Sequence, residues 1–374
     1  MTSYAVLSTY PPTQCGLATF STALVNQLKT GPDEVRVVSV VDAYSPDAPP
    51  EVSYQWVRGR PEQTAAAAAH LDAADVVLVQ HEFGIFGGVD GSDVLDVVQL
   101  VSAPMIVVLH TVLVSPSPRQ RAIVEELSAR ASAVVTMTRT ARERLLRHYT
   151  VDGSRVSVVP HGASDNRAGG IEPRSPDRVP RMLTWGLIGP GKGIEWGIDA
   201  LADLSDLGVV YDVVGETHPK VVEQFGEDYR KSLMERAERL GVLDRVRFDD
   251  RYIATSELQE IVRGADLILL PYDSRDQVTS GVLVEAVTSV RPVVSTDFPH
   301  ARELLSSGAG LLVPQGDPVA IAEAVRRILT EPGRAERMRA ESGRLARHLL
   351  WPAVTDGYRR LAASALERQQ VLAS

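Results

Sequence analysis

The sequence predicts an α/β protein built from two Rossmann-like, doubly wound parallel-sheet domains facing across a cleft. Three observations carry this expectation. At 374 residues the chain is too long for one ordinary core, so two domains are the natural division. Short β-branched runs recur along it, each followed by a turn and a helix-like stretch. These runs are continuous rather than alternating, which marks strands covered on both faces, as in parallel sheets.

In the first half the strand-like runs are "YAVLS", "VRVVSVV", "DVVLVQ", "MIVVLH", "AVVTM" and "VSVV", with helical periodicity in "LATFSTALVNQL" and "RERLLRHY". The alternation pauses once, at "GASDNRAGGIEPRSPDRVPR", residues 162–181. Its Gly, Pro, Asp and Arg content reads as an exposed linker and puts the domain boundary near residue 168. The second half resumes with "RMLTWGL", "VVYDVVG", "RVRFD", "DLILL", "PVVS" and "GLLV", and "AIAEAVRRIL" reads as a helix. The closing "WPAVTDGYRRLAASALERQQ" reads as a terminal helix, with Pro352 suited to its first turn. The expected division is therefore 1–167, 168–350, and a helix over 351–374 returning toward the N-terminal domain.

Composition excludes several classes. Hydrophobic residues make up 44% and charged residues 23%, as in a soluble globular protein. A formal net charge of −9 argues against nucleic acid as a partner, since phosphate neutralisation needs a basic face. Cys15 is the one cysteine, so no intrachain disulfide forms, which suits a cytoplasmic location. "MTSYAVLSTYPP" lacks the charged start and apolar core of a secretion signal, and no apolar run is long enough to span a bilayer. The run "RTARERLLRHY", residues 139–149, could form a basic amphipathic helix and seat the protein peripherally on the inner membrane face.

Chemistry in this architecture belongs at the carboxyl ends of the strands. After the first run, "STYPPTQCGLATF" brings Gly16 to a helix start, where unpaired amides and the helix dipole favour an anion. "QHEFGIFGG" sets His81, Glu82 and Phe83 in a glycine-rich aromatic loop, a candidate sugar or acceptor contact. His110 ends "MIVVLH", and His161 repeats that placement in "VVPHG". In "TWGLIGPGKG" the glycines Gly186, Gly189 and Gly191 allow backbone donors close to a phosphate, and Lys192 adds a point charge. The spacing is not that of a P-loop, because Gly193 and Ile194 follow the lysine. In "LLPYDSRDQVTSGVLVEA" a helix starting around Ser280 would turn the amides of Gly281, Val282 and Leu283 toward a diphosphate. Glu285, one turn in, would accept from ribose hydroxyls. A dinucleotide-dependent oxidoreductase would need G-x-G-x-x-G after the first strand, where "TYPPTQCGLA" stands instead.

Taken together, "PPTQCGLATF", the glycine loop, "PHG", "SGVLVEA", "RPVVST" and "GLLVPQGDP" resemble the retaining nucleotide-sugar glycosyltransferases of family 4, of GT-B fold. The likeness runs over nearly the whole chain. Lys192 matches the lysine of the family's glycine-rich loop, His110 the histidine near the transferred sugar, and Glu285 the second signature glutamate. Two positions depart from the pattern. Gln277 stands eight residues before Glu285 where the family has its first glutamate, and Leu187 stands where it usually has arginine.

The resemblance implies transfer of a hexose from a nucleoside-diphosphate sugar to an acceptor hydroxyl with retention, and no metal or other cofactor. GDP-mannose and UDP-glucose are the favoured donors; the acceptor is a glycan, a lipid or a small metabolite. The donor would bind the C-terminal domain and the acceptor the N-terminal domain, through His81, Glu82, Phe83 and His161. Lys192 and the helix at Ser280 would stabilise the departing diphosphate, Arg251 would share that task, and Tyr252 would flank the base. His110 and Gln277 would orient the donor sugar. The departures at positions 277 and 187 motivate an alternative, a nucleotide-sugar-binding protein of the same fold without turnover.

Overall fold

The computed structural model describes residues 1–167 and 178–373, so residues 168–177 of the expected linker lie outside the described residues. The chain divides into two compact units, Met1–Gly162 with Trp351–Ser374, and Ala163–Leu350.

The first unit holds seven parallel strands: β1 (Ser3–Ser8), β2 (Glu34–Val41), β3 (Val52–Val57), β4 (Val76–His81), β5 (Met105–Leu109), β6 (Ala133–Thr136) and β7 (Val156–Val158). Their order is β3-β2-β1-β4-β5-β6-β7. Val6 lies opposite Val37 on one side and Leu78 on the other, so the aliphatic run of β1 forms the spine of the sheet. The second unit holds β8 (Arg181–Trp185), β9 (Val210–Val214), β10 (Val246–Asp249), β11 (Leu267–Leu270), β12 (Val293–Thr296) and β13 (Gly310–Val313), in the order β10-β9-β8-β11-β12-β13. The central strands are buried along their whole length, as continuous apolar runs require.

Strand β3 is the element that periodicity does not reveal. "VSYQWV" alternates in burial and lies at a sheet edge, so it lacks the aliphatic run of its neighbours. The division between the units falls after Gly162 rather than near 168. The amide of Ala163 donates to Leu349 O at 2.9 Å, and Asn166 donates to Gln259 O at 3.0 Å, which ties residues 163–167 into the second unit. The last helix, Trp351–Ala373, buries Trp351, Val354, Tyr358 and Ala362 in the core of the first unit. A helix over Arg334–Leu349, in a stretch whose charge reads as plain surface, buries Met338, Ala346 and Leu349.

Among the described residues no helix is long and apolar enough to cross a membrane. In the basic helix Arg139–His148, Arg144 is buried with Nη1 on Val112 O at 2.9 Å, and Arg142 Nε reaches Val156 O at 3.3 Å. These two arginines serve the backbone of their own unit, which leaves Arg139, Leu146 and Arg147 as the exposed part of the expected lipid face.

Candidate functional site

In each sheet the strand order reverses about one strand. β1 is flanked by β2 and β4, and β8 by β9 and β11. Loops leaving the carboxyl ends at such a reversal diverge to opposite faces and open a crevice.

In the second unit the two loops beside this crevice are 186–193 and 271–280. They are joined by the Asp273 amide donating to Gly191 O at 2.9 Å. Gly193, at φ +66°, lets the first loop pass beneath the second. A Cβ there would lie 1.8 Å from Pro271 O, so only glycine fits. The turn delivers Lys192, whose Nζ sits 4.7 Å from the ring centre of Tyr272. No carboxylate lies within ion-pair distance of Lys192 among the described residues, and the aromatic face holds the ammonium without neutralising it.

The helix Gly281–Thr288 begins at the same edge. Ser280 caps it, its hydroxyl accepting from Leu283 N at 3.2 Å. The amide of Leu283 is therefore already used, and only those of Gly281 and Val282 remain from the expected three. Ser280 is itself fixed by its N–H donating to His300 Nδ1 at 2.8 Å, while the His300 amide reaches Gln277 O at 3.3 Å. Gln277 turns its side-chain amide back onto Thr279 O at 3.0 Å. Glu285 is half-buried by area, but its carboxyl group is enclosed. Burial raises its pKa to about 7, against the opposing effect of a hydrogen bond from Trp185, the last residue of β8.

Arg251 is not a free cation. Its guanidinium binds Asp249 at 2.6 Å and Glu257 at 2.8 Å, two carboxylates for one positive charge. Tyr252 beside it is exposed. Gly186 and Gly191 take left-handed backbone at the loop, and Gly189 lies between them. A cavity of about 310 Å³ lies beyond β12 and β13, lined by Arg275, Asp297, Arg302, Pro314 and Gln315.

In the first unit, Gly16 opens the helix Gly16–Leu28, and a Cβ there would meet nothing within 4 Å. His110 is the first residue past β5. Its Nε2 donates to Gln80 Oε1 at 2.8 Å, and the ring stands edge-on to Phe20 at 4.8 Å. Phe20 also meets His161 at 4.9 Å and Trp351 at 5.1 Å, so one aromatic ring gathers both strand-end histidines. His161 Nδ1 donates to Gly162 O at 2.8 Å, which leaves Nε2 as an acceptor. Burial lowers His161 to about 4. It also holds His110 well below the usual imidazole range, with His161 and His81 acting in the same sense. Both rings are neutral at physiological pH.

His81 does not present itself to an acceptor. It ends β4 facing inward, fully buried between Phe83 and Phe86, and burial lowers it to about 4. Glu82 folds back to accept from the Gly84 amide at 2.6 Å. Sequence reasoning missed Trp185, Tyr272, Phe20 and His300. The first two border motif residues that were singled out. Phe20 and His300 lie inside helices, where nothing in the sequence singles out the side chain.

The C-terminal part of the chain, residues 179–331, matches the family model described as glycosyl transferases group 1. Residues 16–167 match that of glycosyltransferase family 4. Among curated proteins it is 28% identical over 223 residues to an alpha-D-kanosaminyltransferase of Streptomyces kanamyceticus, covering 56% of this chain and 54% of that one. It is 30% identical over 259 residues to a D-inositol 3-phosphate glycosyltransferase of Salinispora tropica, covering 63% and 52%. The chain spans about half the length of the curated relatives it matches. Among solved structures, Anabaena Alr3699/HepE in complex with UDP and glucose superposes with a TM-score of 0.74 at 18% identity, over 97% of this chain and 100% of that one. Sucrose-phosphate synthase from Thermosynechococcus elongatus gives 0.72 at 17% identity over the full length of both. At these identities the likeness is one of fold. The chain belongs to family 4 of the glycosyltransferases, with their two-domain, Rossmann-like GT-B architecture.

Proposed function

We propose that this protein transfers a hexose from a nucleoside-diphosphate sugar to an acceptor hydroxyl, with retention at the anomeric carbon. The observation that carries this reading is the edge of the second unit. There an ammonium without a paired carboxylate, two unused helix-start amides and one enclosed carboxyl group meet at the strand-order reversal. Lys192 and the amides of Gly281 and Val282 take the diphosphate, and Glu285 takes the ribose hydroxyls.

As the glycosidic bond loosens, the sugar becomes oxocarbenium-like and negative charge grows on the leaving diphosphate. Fixed donors aimed at that charge lower the barrier without reorganising. His110 is neutral, with Nε2 committed to Gln80, so its Nδ1 is left to accept from a hydroxyl of the transferred sugar. His161 offers Nε2 to the acceptor in the same way. Lys192 supplies the charge that a metal ion would otherwise bring, so turnover should survive a chelator. UDP-glucose and GDP-mannose are the favoured donors; Alr3699/HepE, of the same fold, was solved with UDP-glucose. The acceptor is a hydroxyl of a glycan, a lipid or a small metabolite, and Arg139, Leu146 and Arg147 are the residues through which a peripheral membrane contact would be made.

The alternative, donor binding without turnover, draws on Gln277, which has no charge and holds its own loop. A panel of UDP-, GDP- and TDP-sugars separates the two. The transferase reading expects product or donor hydrolysis with one of them, unchanged by EDTA and reduced at least 100-fold in Lys192→Ala. Tight binding with no turnover of any donor would leave only the binding protein.

A further inference from the structure

The opposite edge of the second sheet, where its strands begin, carries a cluster of arginines that the donor site does not use. Arg178 precedes β8, Ala265 and Asp266 precede β11, and Arg291 precedes β12. Arg178 donates to Gly264 O at 3.2 Å and pairs with Asp266 at 2.5 Å; the second oxygen of Asp266 accepts the Arg181 amide at 2.8 Å. Both oxygens of Asp266 are thereby engaged. Arg291 is 6% exposed and places Nη1 on Ala265 O at 3.2 Å. Arg263 lies on Asn166 Oδ1 at 2.6 Å. Arg339 comes in from the helix Arg334–Leu349, its nearest carboxylate being Glu336 at 3.8 Å, which is mostly exposed.

Two features set this cluster apart from ordinary surface pairing. The Nε atoms of Arg291 and Arg339 are both buried with no hydrogen-bond partner, and a buried donor without an acceptor is costly. The charges are also unbalanced. Among the described residues Arg178, Arg263, Arg291 and Arg339 share two carboxylates, Asp266 paired with Arg178 and Glu336 at 3.8 Å from Arg339. The mutual repulsion is visible at Arg291. Burial lowers it to about 10; Arg339, Arg178 and Arg263 act in the same direction, and Asp266 opposes them.

We propose that this edge is a binding site for a phosphate group, separate from the donor site at the other end of the strands. A phosphate monoester carries close to two negative charges and several acceptor oxygens, which matches the surplus charge and the two orphaned donors. Guanidinium forks match phosphate oxygens bidentately, and two negative charges answer the surplus better than one. A soluble phosphate and a phosphomonoester lipid headgroup share this chemistry.

The test is thermal melting of the full chain in sodium phosphate against sodium chloride of equal ionic strength, with 31P line broadening of inorganic phosphate as a second readout. Phosphate should raise the melting temperature saturably, by about 2–4 °C at tenfold excess over its dissociation constant. The rise should persist in Lys192→Ala, where the donor site is disabled, and vanish in Arg339→Gln and Arg263→Gln, with the line broadening lost in parallel. Arg291 is left intact because its removal endangers folding. A rise abolished by Lys192→Ala, one surviving both arginine variants, or none beyond the chloride control would overturn the proposal. Co-sedimentation with phosphatidic acid vesicles identifies the source. Binding by the wild type but not by Arg339→Gln points to a lipid headgroup, and a wild type that stays in solution while still responding to phosphate points to a soluble ligand.

Discussion

Glu285 is the residue whose environment most clearly opposes its chemistry. A carboxyl group raised to about 7 keeps its proton in the folded state between pH 4.5 and 7, where the unfolded chain has already lost it. The folded state binds the extra proton, so stability falls as pH rises through that window, and the deficit is complete above pH 7. The difference corresponds to roughly 3–4 kcal/mol. Glu285→Gln should therefore be more stable than the wild type at pH 8 and nearly equal to it at pH 4.5. It should also lose donor affinity at least tenfold, because an ionised acceptor is worth about 1.5–3 kcal/mol to the hydroxyls it binds. Urea unfolding at the two pH values checks this. A stability difference that does not change with pH would mean that the carboxyl titrates normally. Stability surrendered for an acceptor at the right place is the expected signature of a functional group.

At the scale of elements, the helix Gly281–Thr288 depends on a neighbour. Ser280 can cap it only while its own N–H is held by His300, and His300 also holds Gln277 O through its amide. His300→Phe leaves the buried Ser280 amide without an acceptor, at a cost of about 1–3 kcal/mol. It should raise KM for the donor more than it lowers kcat. His300→Asn, whose side-chain oxygen can accept in the same place, should recover much of the affinity. Equal kinetics for both variants would show that the contact does not position the helix. This coupling was not legible in the sequence, because residues 280 and 300 meet only after β12 has been placed between them. The helix start around Ser280 was legible; the serine's role as its cap, and the loss of the Leu283 amide to that cap, were not anticipated. Likewise Arg251 stood where a phosphate ligand was wanted, but Asp249 and Glu257 lie two and six residues away, and local pairing takes its charge.

At the scale of the molecule, twelve of the thirteen strands among the described residues were legible because parallel strands buried on both faces leave an unbroken aliphatic run. The two-unit division was legible for the same reason, since one pause in the alternation stands out. The return of the last helix to the first unit was read from the sequence as well; the contacts that seat it there were not. Trp351 is 6% exposed and packs on Phe20 at 5.1 Å, and a Cβ on Gly162 would fall 2.3 Å from its ring. The first core is thus closed by residues nearly 200 positions beyond the last strand of its sheet. Trp351→Ala removes a large buried ring, and such truncations cost about 3–5 kcal/mol. Because the cores of the two units are separate clusters, the loss should fall on one of them. Calorimetry is expected to show the transition of the first unit displaced to lower temperature. The transition that a bound nucleotide sugar protects should stay within a degree or two of the wild type. If both moved together, the two units would have to be treated as one cooperative fold.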